Sequence, residues 1–366
     1  MPNLTHLSEA WRIFKRSVRV KRKGIKKYSG SAKEICGQII KDCWNGRYFQ
    51  TSSDDGHFCE FYIRDFGWCV DSLLKLGYKK EVKKTLAYAL EKYSRQRLTT
   101  TITPSGKCID IFIYSPDSLA YLIRSLRAAE AFDLIKRYKD FLIKEIKRCF
   151  GLCFDKEKSL VRADKYFGAM KDEAKRSSST YDNVMIAMLS DELNRLNFYN
   201  PFKEYDAKKA VKENLWNGEY FYDDLNKHNI VTGDSNVIPF WTGVFDDRKM
   251  LKSCIKSIQN AGLDNPFPLK YSPGRFKEHK LNFVSLFVPG YQKEGIKMHM
   301  GPMFVQLVKQ VDGKKAKKYI DSYTKIIEKY KNFLEVFNPD GTPFKSPFYY
   351  ADEGMLWAAN YLAISL

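Results

Sequence analysis

The chain has 366 residues, 44% hydrophobic and 15% aromatic, which is enough for a sizeable core and excludes a disordered protein. Lys and Arg exceed Asp and Glu by 62 to 43, a formal charge of +19, but the lysines alternate with acids along nearly every helical stretch, which argues against a nucleic-acid partner. No run approaches the ~20 apolar residues that cross a bilayer, and the N-terminus has no apolar signal region, so a cytoplasmic protein without a membrane partner is expected.

Residues 1–30 read as a basic helical extension. Within them KRSVRVKRKGIKK (15–27) is the one dense basic run, expected to be a solvated segment, with contact to a polyanion as the alternative. Residues 31–366 read as one domain, since no Ser/Gly- or Pro-rich linker divides them. Apolar spacing near 3.6 predicts helices over 32–44, 66–77, 79–94, 117–129, 131–149, 180–197, 203–216, 236–246, 247–262, 295–311, 313–334 and 351–364. LLKLGYKKEVKKTL and VKQVDGKKAKKYI each join two helical patterns through a short Gly-containing turn, which marks antiparallel neighbours. Strand-like alternation is confined to KCIDIFIYS and KLNFVSLFV.

Between the helix pairs lie six long connections rich in Gly, Pro, aromatic and acidic residues, from GRYFQTSSDDGHFCEFYIRDF to EVFNPDGTPFKSPFYYADEG. Long structured loops that recur after alternating helices place function at one end of a helical assembly. A closed ring of six hairpins, an all-α (α/α)6 barrel with short β segments in its active-face loops, gives this pattern. An open solenoid would show a repeat of fixed length, and the chain has none.

Eight cysteines without a CxxC pair and five histidines without ligand spacing predict no metal and no cofactor. The loops instead carry Asp, Glu, Arg, Tyr and Trp at the density of a carbohydrate site, where aromatic faces pack on sugar C–H surfaces and carboxylates and Arg bind hydroxyls. Asp117, Asp182 and Asp352 each also have an explanation as helix N-caps. Glycoside hydrolysis needs two carboxyls, one to protonate the leaving oxygen and one ionised.

Five segments carry a family resemblance. FYIRDFGWCVDSLLKLGYKKEVKKTLAYALEKY resembles the stretch of alkaline and neutral invertases, and of glycogen-debranching amylo-1,6-glucosidases, in which an RDF motif opens a helix pair. YSPDSLAYLIRSLRAAEA, MKDEAKRSSSTYDNVMIAML, WNGEYFYDDL and NFLEVFNPDGTPFKSPFYYADEGMLWAANYLAISL are similar to later landmarks of these families, in the same order, over residues 45–366. The resemblance implies the six-hairpin glycosidase superfamily, with the general acid falling on Asp117 and the general base on Glu335. It also implies that Arg64 and Asp65 grip the terminal sugar and that Asp172, Glu173 and Asp182 contact it. Glucoamylase-like members place the acid in this later loop, which makes Asp172 or Glu173 the alternative acid.

One landmark departs from the pattern. The relatives have Tyr-His-Gly-x-x-Trp-Pro where this chain reads YQKEGIKMHMGP, which keeps Tyr291 and Gly295 but lacks the Trp. Glu294, Lys297 and His299 put charge there, which suits a different or anionic sugar. Trp241 and Trp357 are candidates for stacking on sugar, and Trp357 also fits the core of the last helix.

The resulting expectation is an exo-acting, inverting hydrolase of an α-glucoside or similar small oligosaccharide, of undetermined oligomeric state. A sugar epimerase on the same barrel would use His57 and His299 as proton shuttles. A silent sugar- or polyanion-binding scaffold would not place Asp117 and Glu335 in one pocket.

Overall fold

Six helices form a closed inner ring in the computed structural model, which describes residues 4–111, 113–171, 174–274, 291, 294–347 and 349–366. They are α3 (Ile63–Lys75), α5 (Asp117–Ala128), α8 (Thr180–Arg195), α10 (Gly233–Trp241), α12 (Met300–Val311) and α14 (Ala358–Ile364). Each packs on the next, and α14 returns to α3. An outer layer follows from α2 (Ala32–Asp42), α4 (Lys79–Arg95), α7 (Lys139–Cys153), α9 (Ala207–Leu215), α11 (Arg248–Asn260) and α13 (Gly313–Tyr330). The (α/α)6 barrel expected from the helix count is therefore the fold.

Local chemistry sets the helix ends. Ser31 and Glu34 form a capping box on α2, and Ser179, Asp206, Asp247 and Asp312 each cap the helix that follows. Gly77 at φ 91° turns the chain sharply from α3 to α4. Gly67 lets α3 lie close against α5, since a Cβ there would stand 2.6 Å from the Cβ of Tyr121. The pattern predicted over 131–149 is split into α6 (Phe132–Arg137) and α7 by Tyr138, whose φ and ψ of −106° and 21° interrupt the helix. The pattern over 351–364 becomes helical only at Ala358, because residues 351–357 run through the loop and deliver side chains to the site.

Every inner helix enters from a long loop, and those from α3 to α12 leave by shorter connections, so the six long loops share one end of the barrel. Short antiparallel ladders tie them together. β1 (Phe61–Tyr62), β2 (Thr101–Ile102) and β3 (Cys108–Ile109) make one sheet, and β4 (Phe154–Asp155) pairs with β5 (Leu160–Val161). β6 (Ile296–Lys297) pairs with β7 (Val336–Phe337), with Lys297 opposite Val336. The alternation in KLNFVSLFV lies outside the described residues.

The basic run behaves differently from a solvated segment. α1 (Leu4–Lys23) lies on the loop end of the barrel, where Arg12 donates to Glu60, Arg16 to Glu353 and Arg19 to Asp55 and Glu353. Its opposite side carries Trp11 and Phe14, stacked and exposed. Among the described residues no helix is long and apolar enough to cross a membrane, no disulfide forms, and no cluster of His, Cys, Asp and Glu could hold a metal ion.

Candidate active site

A cavity opens at the loop end of the ring, with about 520 Å³ of empty space including its mouth, within the usual range for small-molecule sites. The first turns of α3 contribute Arg64, Asp65 and Trp68 to its wall, and the loops ahead of α12 and α14 contribute Tyr291, Lys297, His299, Glu335 and Trp357. The β6–β7 ladder brings the last two loops together, with the Met298 N–H donating to the Glu335 carbonyl at 3.1 Å.

Glu335 is 2% exposed and accepts several hydrogen bonds. The Tyr291 hydroxyl donates to Oε1, while the Tyr349 hydroxyl at 2.5 Å and the Asp352 N–H at 3.0 Å donate to Oε2. Burial pushes its pKa above the ordinary glutamate value, against the opposing effect of Lys297 and these three donors. Such a carboxylate is fixed in direction and holds a proton more tightly than an exposed one, which are properties of a general base.

Asp65 lines the wall and accepts from the Trp357 indole N–H at 3.1 Å. Trp68 lies flat against His299, at 4.5 Å and 11° between planes, and Trp357 meets the same imidazole edge-on. His299 Nε2 lies 3.0 Å from the Tyr271 hydroxyl, which itself donates to the Met170 carbonyl at 2.9 Å, so Nε2 carries the proton. Burial, with Lys297 and Arg64 nearby, pushes the His299 pKa well below its ordinary value and keeps the ring neutral. Trp357→Phe is expected to raise KM about tenfold or more while leaving kcat within a few-fold, since it removes the hydrogen bond that orients the cavity-lining Asp65. Initial-rate kinetics check this.

Asp117 is not on the cavity wall. It is fully buried at the start of α5, where Arg64 Nε closes on Oδ2 at 2.5 Å and the Tyr181 hydroxyl donates to the same oxygen at 2.7 Å. The residue expected as the general acid therefore lies behind the cavity wall, with its carboxylate paired to the Arg64 guanidinium. Asp117 sets the direction of Arg64, which does line the cavity.

Asp182 also stands back from the wall, 3% exposed in the first turn of α8, with Ser179 Oγ donating to Oδ2 at 2.6 Å. Burial raises its pKa to about 7 even though Arg176 opposes this. Beside it, Arg176 bridges Asp223 at 3.1 Å and Asp234 at 2.7 Å, and Lys171 Nζ lies 3.4 Å from Asp223. These ion pairs anchor both ends of the 171–176 segment. Asp172 and Glu173 themselves lie outside the described residues.

Two further expectations fail on position. Trp241 is the last residue of α10, about 12 Å along the helix axis from the loop end. There its indole donates to Gln306 at 3.2 Å, and Arg124 lies over the ring at 5.0 Å. Trp241→Ala is accordingly expected to leave kcat/KM within a few-fold of wild type. Glu294 is exposed on its loop and does not line the cavity, whereas Lys297 and His299 further along the same loop do.

The comparisons with known proteins agree with the fold. No protein-family model matches the chain, and no curated protein matches its sequence. Among solved structures, a rhamnosidase from Klebsiella oxytoca with rhamnose bound superposes with a TM-score of 0.62 at 11% identity over 93% of this chain. The chain spans 65% of that rhamnosidase's length. A wild-type glycosidase superposes at 0.64 and 10% identity, over 98% of this chain and 96% of its own. The GH63 mannosylglycerate hydrolase from Thermus thermophilus in complex with Tris superposes at 0.61 and 11% identity, over 92% of this chain and 100% of its own. The barrel is the fold of six-hairpin glycosidases. At these identities the likeness extends to the fold alone.

Sequence reasoning missed Trp68, Tyr271 and Tyr349 as parts of the site, and gave Lys297 no role of its own. Trp68, Tyr349 and Lys297 lie within quoted landmarks and Tyr271 outside them, and their side chains reach the site through loop geometry that spacing does not encode.

Proposed function

We propose that this protein is a glycoside hydrolase that removes a terminal sugar from a small glycoside with inversion. The observation that carries this reading is Glu335, a buried carboxylate aimed by three hydrogen-bond donors and set in a wall with Asp65, Arg64 and two tryptophans. Asp65 and Arg64 bind sugar hydroxyls, and the indole faces take the C–H surface of the ring. Glu335 removes a proton from a water that attacks the anomeric carbon as the glycosidic bond breaks. The leaving oxygen takes its proton from a carboxyl in the loop ahead of α8, Asp172 or Glu173, since Asp117 is committed to Arg64.

The finer likeness to amylo-1,6-glucosidases and invertases favours an α-glucoside, while the structural neighbours add rhamnosides and mannosylglycerate to the substrates worth testing. An epimerase reading is weakened by the histidines. Burial lowers the His57 pKa to about 3 and holds that of His299 well down, so neither is poised to shuttle protons near neutral pH.

The test is hydrolysis of a panel of α-glucosides, α-rhamnosides and mannosylglycerate, with the product anomer followed by NMR. Release of the inverted anomer supports the reading, whereas a retained anomer overturns the base role of Glu335. A wild-type protein that turns over nothing on the panel favours the binding scaffold.

A further inference from the structure

Arg16 lies on the most basic helix of the chain, yet it is 5% exposed. Its guanidinium enters the loop between α13 and α14, where Nη1 donates to the carbonyls of Tyr350 at 2.7 Å and Ala351 at 3.0 Å. Nη2 reaches Glu353 at 3.1 Å and Asp352 at 3.5 Å. Both of these carboxylates are fully buried, and Arg19 supplies Glu353 with a second guanidinium at 2.7 Å.

This four-residue segment backs the candidate base. The Asp352 N–H donates to Glu335 Oε2 at 3.0 Å, and the Glu335 N–H returns a bond to the Asp352 carbonyl at 2.9 Å. The Asp352 carboxylate accepts from the N–H groups of His57 and Phe58, and His57 Nε2 sits 3.2 Å from the Tyr349 hydroxyl that donates to Glu335. His57 Nδ1 lies 3.3 Å from Asp352 Oδ1, which ties the imidazole to the same carboxylate. We propose that Arg16 is a positioning residue for Glu335, acting through Asp352, His57 and Tyr349, so that α1 is part of the catalytic centre. The role rests on the hydrolase reading above.

Removing Arg16 leaves Asp352 and Glu353 side by side in the interior with Arg19, itself 38% exposed, as the remaining guanidinium. Two adjacent buried carboxylates repel, and the loop that presents the Asp352 N–H and the Tyr349 hydroxyl loses its anchor. Both donors favour the ionised form of Glu335, so their loss makes Glu335 harder to ionise. The other groups that face Glu335 are Lys297 and Tyr291, and Arg64, Asp65 and His299 share its cavity.

The experiment compares wild type, Arg16→Ala, Arg16→Lys and Arg22→Ala, the last an exposed residue of the same helix. Arg16→Ala is expected to lower kcat about 10²-fold, the scale on which a misplacement of ~1 Å acts, with KM nearly unchanged and the acid limb of kcat/KM moved to higher pH. Arg16→Lys, which keeps the charge without the planar fork, should recover part of both effects, and Arg22→Ala should match wild type. In parallel, carbon-13 carboxyl NMR follows the ionisation of Glu335 in the free proteins, its resonance assigned with Glu335→Gln. An upward shift in Arg16→Ala, and a smaller one in Arg16→Lys, supports the proposal without reference to any substrate. Unchanged titration in a folded Arg16 variant, or a rise in KM at constant kcat, overturns it. A wild type inactive on the whole panel would instead sink the hydrolase reading, and the titration would still decide the role of Arg16.

Discussion

Glu335→Gln should lower kcat by about 10²–10⁴-fold, the usual contribution of a positioned general base, with little change in KM. Gln keeps the size of the side chain, and its one amide oxygen can still accept from Tyr349 and the Asp352 N–H while the Tyr291 hydroxyl turns to accept from the NH2, so the cavity survives while the proton acceptor is lost. In wild type the same group sets the acid limb of the pH profile. Burial raises its pKa, so activity should fall on acidification at a higher pH than an ordinary glutamate would give, because the base works only when ionised. The limb should vanish from whatever activity Glu335→Gln retains. Steady-state rates between about pH 4 and 9 check both statements, and a variant with wild-type kcat would remove Glu335 from the mechanism.

Asp117→Asn should act chiefly on stability. The substitution removes the carboxylate on which Arg64 and Tyr181 converge in the interior, and breaking a buried pair from one side costs about 3–5 kcal/mol. Thermal or urea denaturation should show that loss. Because Arg64 also lines the cavity, KM should rise as well, but on the mechanism proposed above, with the acid at Asp172 or Glu173, the alkaline limb of the pH profile should persist. The acid is expected at Asp172 or Glu173. There, Asp172→Asn or Glu173→Gln should abolish the alkaline limb and reduce kcat about 10²–10⁴-fold on substrates with poor leaving groups. A glycosyl fluoride, whose leaving group needs no protonation, should be hydrolysed by that variant at a rate much closer to wild type. If Asp117→Asn instead loses the alkaline limb and is rescued by the fluoride, the acid returns to Asp117.

The contrast between Asp117 and Glu335 shows why landmarks of the same kind fare differently. The family resemblance puts the general acid on Asp117 and the general base on Glu335. Glu335 precedes its inner helix by a loop of more than twenty residues, which bends back so that the carboxylate faces the cavity. Asp117 is the first residue of its helix, and the guanidinium of Arg64 stands between it and the cavity. Trp241 and Trp357 make the same point, since one ends an inner helix at the far face and the other precedes an inner helix at the loop face. Direction along the barrel, not residue type, decides which of the two can meet a sugar.

The basic segment 15–27 was legible as a helix and as a charge, but not as a partner for carboxylates some 335 positions away. Local sequence by itself determined the helices and the alternation of shorter turns with long loops, because apolar period and chain stiffness act over a few residues, whereas the caps expected at Asp117, Asp182 and Asp352 fall instead on Pro116, Ser179 and Trp357. Those were enough for the ring of six hairpins. Which carboxylates face the cavity, which are consumed by buried arginines, and that α1 closes over the loop carrying Glu335 were decided only by tertiary structure, because burial and ion pairing depend on neighbours that the chain brings together from its two ends.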